Sequence, residues 1–322
     1  MTQATNTWDK YDVGTGNRED LSDMISNVSP FDTPILSAMG KTKATSTKHE
    51  WLNETLAAAK MNHAIEGDDG QDADILTGRT RIFNYTPILK KKMVVSGTQE
   101  SGMDPAGIQS EMAHQEAKKM KEIKLDLEYM CINGGVTDGI GNIQVAGNAT
   151  TAREMSSLQC YIATNADVAA LGSASTGDGT DAMTSATDRA LTEAMLTTVL
   201  GLCFDNGAEP TLLAVDSTNK GIVSSFAGGS TRYVDTNTKE LIHSIDVYVG
   251  DFHTLKVCPS RNTPAEIAYV LDPQYLKLAE LRPLQSYDLA KNGDNIKREM
   301  VWECCLQVGT EKAHGIIGDL GG

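Results

Sequence analysis

Phosphate binding, calcium binding, zinc-assisted hydrolysis and dinucleotide binding are the chemistries that residue types in this chain could support. The stretch FDTPILSAMGKT, residues 31–42, ends in Gly40-Lys41-Thr42, the closing triplet of a phosphate-binding loop. Such a loop needs a glycine five residues before Gly40, a strand ahead of it and a helix behind it, so that backbone N–H groups cradle the phosphates. Position 35 is Ile, and Pro34 stands where the strand should be ending. The following KATSTKHEWLN is Thr-rich and has no helical period, so it reads as extended chain. The triplet therefore reads as a turn after a short helix, with Gly40 just past its C-terminus.

The other chemistries fail on spacing. Glu66, Asp68, Asp69, Asp72 and Asp74 crowd one turn region. A calcium loop with Gly70 in its sixth position would start at Ile65, which has no ligand atom to offer. The histidines at 49, 63, 114, 243, 253 and 314 include no pair four residues apart, which excludes the H-E-x-x-H zinc site. His243 and His253 fall on neighbouring expected strands, with no Cys or carboxylate at ligand spacing. GIGNIQVAG lacks the third glycine of the dinucleotide fingerprint, and no G-x-S-x-G nucleophile turn occurs. Cysteines 131, 160, 203, 258, 304 and 305 make no C-x-x-C pair; most lie in apolar runs and read as small buried hydrophobes. Cys304 and Cys305 should point to opposite faces of a strand. No catalytic residue, cofactor or metal site is expected, which favours a structural role.

Composition narrows the class further. With 322 residues, the chain is long enough for two domains or for one core with long excursions. Aromatics are only 5% of the chain, so its core must rest on aliphatic residues, Ala and the 13 Met. A net charge of −15 argues against binding to nucleic acid or an anionic membrane. There is no run of 18 apolar residues to span a bilayer. The polar N-terminus lacks the apolar core of a signal peptide, so synthesis in the cytoplasm is expected.

The elements that must position these residues read as α+β. Residues 1–18 look arm-like, followed by short helices limited by Pro30 and Pro34. KHEWLNETL reads as a strand, and RTRIFNYTPILKKKMVVSGTQE as two strands joined around Pro87. Together they form a flap with one acidic limb (Glu50, Glu54, Glu66, Asp68, Asp69) and one basic limb (Arg79, Arg81, Lys90, Lys91, Lys92). A two-stranded excursion is poorly stable alone, so it needs a partner surface from this chain or another. Glu66, Asp68, Asp69, Arg79, Arg81, Lys90, Lys91 and Lys92 are the candidate contact residues.

The clearest helix covers 110–134, with Ala113, Ala117, Met120, Ile123, Leu127 and Met130 as its apolar stripe. Ser185 and Asp188 resemble a capping box for a helix ending at Gly207. PTLLAVD reads as a buried strand running into a helix capped by Asp216 or Ser217. HSIDVYVG, FHTLKVCPS and AEIAYVLD read as strands. PQYLKLAELRPL is a short element ended by Pro283, and Trp302, Cys304, Leu306 and Val308 alternate in a closing strand.

Three stretches then align with one family. They are DLSDMISNVSPFDTPILSAMGKTKATSTKHEW; YTPILKKKMVVSGTQES running into AHQEAKKMKEIKLDLEYMCING; and RPLQSYDLAKNGDNIKREMVWECCLQVGTEKAHGIIGDL. In order and extent the chain resembles the major capsid proteins of tailed bacteriophages. The resemblance implies an N-terminal arm at 1–50 and an extended loop at 51–105 lying over a neighbouring subunit. It implies a peripheral domain with a long spine helix, from 106–150 with 240–260 and 296–322, and an axial domain from 151–239 with 261–295. It further implies self-assembly into hexamers and pentamers of an icosahedral virion head around double-stranded DNA. Portal and scaffolding proteins, and a decoration protein, are the implied partners. With about 20 residues ahead of the first helix, a separate scaffolding protein is expected. An acidic wall has no counterion release to gain from packaged DNA, so contact with it should be weak and non-specific. An encapsulin-like nanocompartment shell and a soluble acidic enzyme are the alternatives.

Overall fold

The computed structural model describes residues 29–63, 65–67, 76–102, 108–134, 141–226 and 247–321. The arm segment 1–28, Asp68, Asp69, Asp72, Asp74 and His243 lie outside the described residues. The first half of the chain gives α1 (Pro34–Ala38), β1 (Gly40–Lys43), β2 (Lys48–Asn53), β3 (Thr80–Tyr85), β4 (Ile88–Ser96), α2 (Gly97–Gly102) and α3 (Glu111–Ile132). Next come β5 (Ala166–Asp167), α4 (Glu193–Asp205), β6 (Leu212–Val215), α5 (Ser217–Ser225), β7 (Val247–Val249) and β8 (Thr254–Pro259). The chain closes with β9 (Ala268–Leu271), β10 (Leu276–Asp288), β11 (Asn295–Val308) and β12 (Gly315–Ile317). The mixture is α+β.

The α3 helix starts and stops where local chemistry marks it. Ser110 Oγ accepts the Ala113 N–H at 3.2 Å, and Gly134 turns the chain away at φ 64°. Its apolar stripe differs from the expected one. Ile123 and Leu127 are buried, joined by Met112, Cys131 and Ile132, while Ala113, Ala117 and Met120 face solvent. Near its N-terminus the helix meets the sheet through Met112, which packs with Met93, Val95 and Met300. Its C-terminal half is the part that enters the main core.

A four-stranded sheet runs in the order β1-β10-β11-β4. Gly40-Lys41-Thr42 is a strand in it, not a turn, pairing in parallel with Lys277, Leu278 and Ala279. Lys41 Nζ meets Glu280 at 3.1 Å across 239 residues of sequence, a partnership no local pattern encodes. The β10 strand also passes through Pro283, where the sequence suggested an end. Its register against β11 shifts between Glu280 and Arg282 and again between Arg282 and Gln285. A bulge there leaves the missing proline N–H without a ladder bond to break.

The six-stranded sheet runs β5-β12-β9-β6-β8-β7. Leu212, Ala214, Tyr269, Leu271 and Ile316 point into the main core with α3. Leu213, Val215, Ala268, Val270 and Ile317 point into a second core with α4. Burial on both faces accounts for the uninterrupted apolar runs of these strands. At Gly315 a Cβ would come within 2.3 Å of Val199, so glycine sets how closely α4 approaches β12. The α4 helix begins after Thr192, whose side chain caps it, rather than at Ser185–Asp188. That stretch is held instead by the C-terminal segment: Asp319 accepts the Ala186 N–H at 2.7 Å, and the Arg189 N–H reaches the Asp319 carbonyl at 2.8 Å. The α5 cap is as expected, with Asp216 accepting the N–H groups of Thr218 and Asn219, each at 2.9 Å.

Strand pairing groups the chain differently from the expected partition. The strands β7 and β8, expected beside 106–150, join β6 in the six-stranded sheet. Parallel pairing of β6 with β8 requires a crossover, which α5 begins. The β10 strand, expected with 151–239, pairs with β11 across a short connection, and β12 leaves β11 for the other sheet.

Candidate inter-subunit surface

The flap begins where β2 and β3 pair antiparallel, from Lys48 opposite Tyr85 to Asn53 opposite Thr80. Its base is fixed. Trp51 and Ile82 are buried in the main core. The Tyr161 hydroxyl donates to the Phe83 carbonyl at 3.0 Å. Fully buried Asn84 donates to the Leu306 carbonyl at 2.8 Å and accepts the Ser156 N–H at 3.0 Å. An amide so placed ties β3 to β11 and leaves no polar atom stranded.

Beyond the ladder the described residues of the flap are exposed. Leu56, Met61, Ile65 and Leu76 are 98%, 90%, 85% and 90% exposed. Isolated exposed apolar residues are ordinary, but four on one excursion of a single chain mark a surface awaiting cover. The flap's opposite charges answer each other within the chain. Arg79 Nε meets Glu54 at 3.1 Å, and Arg81 reaches Glu50 at 3.6 Å. A hydrogen bond from Lys48, with the charges of Lys48 and Arg81, holds the Glu50 carboxyl below its ordinary value. Glu66 stands exposed beside the apolar tip.

The three consecutive lysines part company. They lie on β4 and pair across to β11 rather than on the flap: Lys90 with Val301, Lys91 with Met300 and Lys92 with Glu299. Alternation turns Lys91 toward α3, where its ammonium meets Asp126 at 2.5 Å. Lys90 and Lys92 stay exposed, together with Ile88 and Val94. Of the candidate contact residues, then, Arg79, Arg81 and Lys91 already have partners in the chain, and Glu66, Lys90 and Lys92 are available to another molecule.

Sequence reasoning missed Glu128. It reads as solvated decoration of the helix, yet it is fully buried. Burial pushes its carboxyl above the ordinary value, opposed by the Leu36 N–H, the Asn262 amide and the Ser260 hydroxyl. The available signal was its position: Leu127, Cys131 and Ile132 surround it at helical spacing.

Among the described residues no group of three or more His, Cys, Asp or Glu could hold a metal ion. Burial pushes the thiols of Cys160, Cys203 and Cys305 up to about 12, far from a reactive thiolate. His253 lies beside Phe204 and Phe252 in an open cavity of about 410 Å³ with Glu209.

The chain is similar to known capsid proteins. A curated relative, the major capsid protein of Escherichia phage Phieco32, is 25% identical over 335 residues, covering 94% of each chain. The capsid asymmetric unit of Cyanophage A-1(L) shares the fold at a TM-score of 0.65 and 14% identity, over 98% of this chain and 99% of that one. The capsid of a native GTA particle does so at 0.61 and 14% identity, over 99% and 100%. The fold is therefore that of the tailed-phage major capsid proteins. Residues 2–321 match one family model from end to end, and the chain belongs to the SU10 major capsid protein family.

Proposed function

We infer that this chain is the protomer of a phage head: copies associate as hexamers and pentamers and close into an icosahedral virion shell around double-stranded DNA. The observation that carries this reading is the flap, whose base is pinned into the core while Leu56, Met61, Ile65 and Leu76 beyond it are exposed. Such a flap is stable only when a neighbour covers it. The peripheral domain is then α3 with the four-stranded sheet, and the axial domain is the six-stranded sheet with α4 and α5. Net charge of −15 keeps the wall from adhering to packaged DNA. Portal, scaffolding and decoration proteins are the further partners, and the protomer carries no catalysis of its own.

Negative-stain electron microscopy of the chain, expressed alone and with its neighbouring genes, tests this. Closed shells or rings of five and six copies are expected. A monodisperse monomer under both conditions would sink the reading. Terminase and portal genes nearby separate a phage head from a nanocompartment, which would instead neighbour a cargo enzyme.

A further inference from the structure

A short connection, residues 289–294, joins β10 to β11. Its base is closed by the Leu289 N–H, which donates to the Lys297 carbonyl at 2.9 Å, and by Arg298, which meets Asp288 at 2.7 Å. Lys291, Asn292, Gly293 and Asp294 above that base are exposed. Asn292-Gly293 is one of three Asn-Gly pairs in the chain, with Asn133-Gly134 and Asn206-Gly207. Such a pair carries its own reagents. The backbone nitrogen after the asparagine can attack the side-chain amide carbon, and glycine has no side chain to obstruct the approach. The attack requires that nitrogen to be free of a hydrogen bond and the asparagine side chain to be free to swing onto it.

Two of the pairs are blocked by helix ends. After α3 the Gly134 N–H donates to the Tyr129 carbonyl at 2.8 Å, and a Cβ at Gly134 would lie 2.8 Å from both the Asn142 nitrogen and the Ser157 Cβ. After α4 the Gly207 N–H donates to the Phe204 carbonyl at 2.9 Å. There the Asn206 side-chain amide is held too, donating to Asn165 Oδ1 at 2.8 Å and to the Leu202 carbonyl at 2.9 Å. At the third pair neither the Gly293 N–H nor the Asn292 side chain has a hydrogen-bond partner among the described residues. Apart from its chain neighbours, only the Asn295 side chain comes near the Cβ position of Gly293, at 3.7 Å.

We propose that Asn292 is a self-modification site, the one Asn-Gly pair of the three that deamidates in the folded protein. The Gly293 nitrogen gives up its proton and bonds to the Asn292 side-chain carbonyl carbon. The bond from that carbon to the amide nitrogen breaks, ammonia leaves, and a cyclic imide closes. Water then opens the ring at either carbonyl. One opening restores the ordinary backbone with an aspartate; the other leaves isoaspartate, with the main chain running through the former side chain. Water is the only co-reactant. Both products set a new carboxylate between Lys291 and Asp294, and isoaspartate lengthens the connection without reaching the Leu289–Lys297 closure beneath it. The proposal stands apart from the shell reading.

The unassembled full-length chain, held in warm buffer at pH 7 and at pH 9 and then digested in acid for mass spectrometry, provides the test. Asn292 is expected to yield two products of equal mass, separable by chromatography, with Asn292→Asp marking the aspartate form. Conversion should be faster at pH 9, because the attacking nitrogen must lose its proton, and slower in Gly293→Ala. Asn133 and Asn206 should convert about tenfold more slowly or less, since each helix end must open first. In urea all three should convert alike. An intact Asn292 in the folded chain, or Asn133 or Asn206 converting as fast, would overturn the proposal. So would an Asn292 lead of the same size in urea, which would take the selection away from the fold, or a rate that Gly293→Ala leaves unchanged.

Discussion

Glu128 Oε2, on the buried face of α3, accepts the backbone N–H of Leu36 at 3.1 Å across 92 residues of sequence. Its Oε1 receives the Ser260 hydroxyl at 3.4 Å and the Asn262 amide at 3.3 Å. A single carboxylate thus joins α1, the long helix and the turn after β8.

Burial raises the Glu128 carboxyl above its unfolded value of 4.5. Below that value both states are protonated, and the neutral side chain suits its site. As pH rises through the raised folded value, the charged form must be buried and the stability contribution is lost. Glu128→Gln keeps an acceptor for Leu36 and removes this loss. Its melting temperature is expected to match wild type near pH 4 and exceed it at pH 8. Glu128→Leu strands the Leu36 N–H and should cost about 1–3 kcal/mol at any pH. Identical pH profiles for wild type and Glu128→Gln would refute the argument.

His314 carries the opposite sign. It is fully buried, its Nδ1 accepts the Asp272 N–H at 3.3 Å, and burial holds it down to about 3 from an ordinary 6.5. Between those values the unfolded chain takes up a proton that the folded chain refuses, so stability is complete above about 6.5 and falls as pH drops. The slope from this group is up to about 1.4 kcal/mol per pH unit. Denaturant titrations of His314→Gln between pH 4 and 7 should be flatter than those of wild type by one proton.

The lysine cluster separates folding from assembly. Lys91→Glu sets a carboxylate against Asp126 and should weaken the unassembled chain by about 1 kcal/mol, since the pair is only partly screened. Lys90→Glu with Lys92→Gln should leave its melting temperature within about a degree while lowering particle yield; Gln is chosen at 92 because Glu299 stands opposite. Wild-type particle yield from that double variant would remove this face from the inter-subunit surface.

Gly315→Ala tests the seat of α4. The added methyl meets Val199 at 2.3 Å and the Cys203 sulfur at 3.3 Å. A loss of about 1–3 kcal/mol is expected, read by chemical denaturation. Partial recovery in Gly315→Ala with Val199→Ala would locate the cost at that contact.

Local chemistry made some elements legible and hid others. Ser110 and Gly134 bracket α3, and Asp216 opens α5, because caps act within a few residues. The paired strands of the flap base and the buried cysteines followed from pattern alone. What stayed hidden was set by distant partners. Gly40-Lys41-Thr42 becomes a strand only beside β10. Ser185 and Asp188 resemble a cap until Asp319 claims the neighbouring N–H groups. Pro283 looks like a stop until the register shift absorbs it. In the candidate surface, the basic limb read from the sequence divides: Arg79 and Arg81 stay on the flap, while Lys90, Lys91 and Lys92 lie on β4 beside β11. The sequence pattern could not show that Lys91 turns inward to Asp126, nor that Glu128 is buried.

The six-stranded sheet bears on how the molecule comes apart. Each of β6, β9 and β12 sends neighbouring side chains into opposite cores. Melting one core would strip a face from the strands that hold up the other, so the two share a single cooperative unit. Calorimetry of the unassembled chain should record one endotherm, with equal calorimetric and van't Hoff enthalpies. A protomer built this way rotates or bends as a whole within a shell, the two cores moving together.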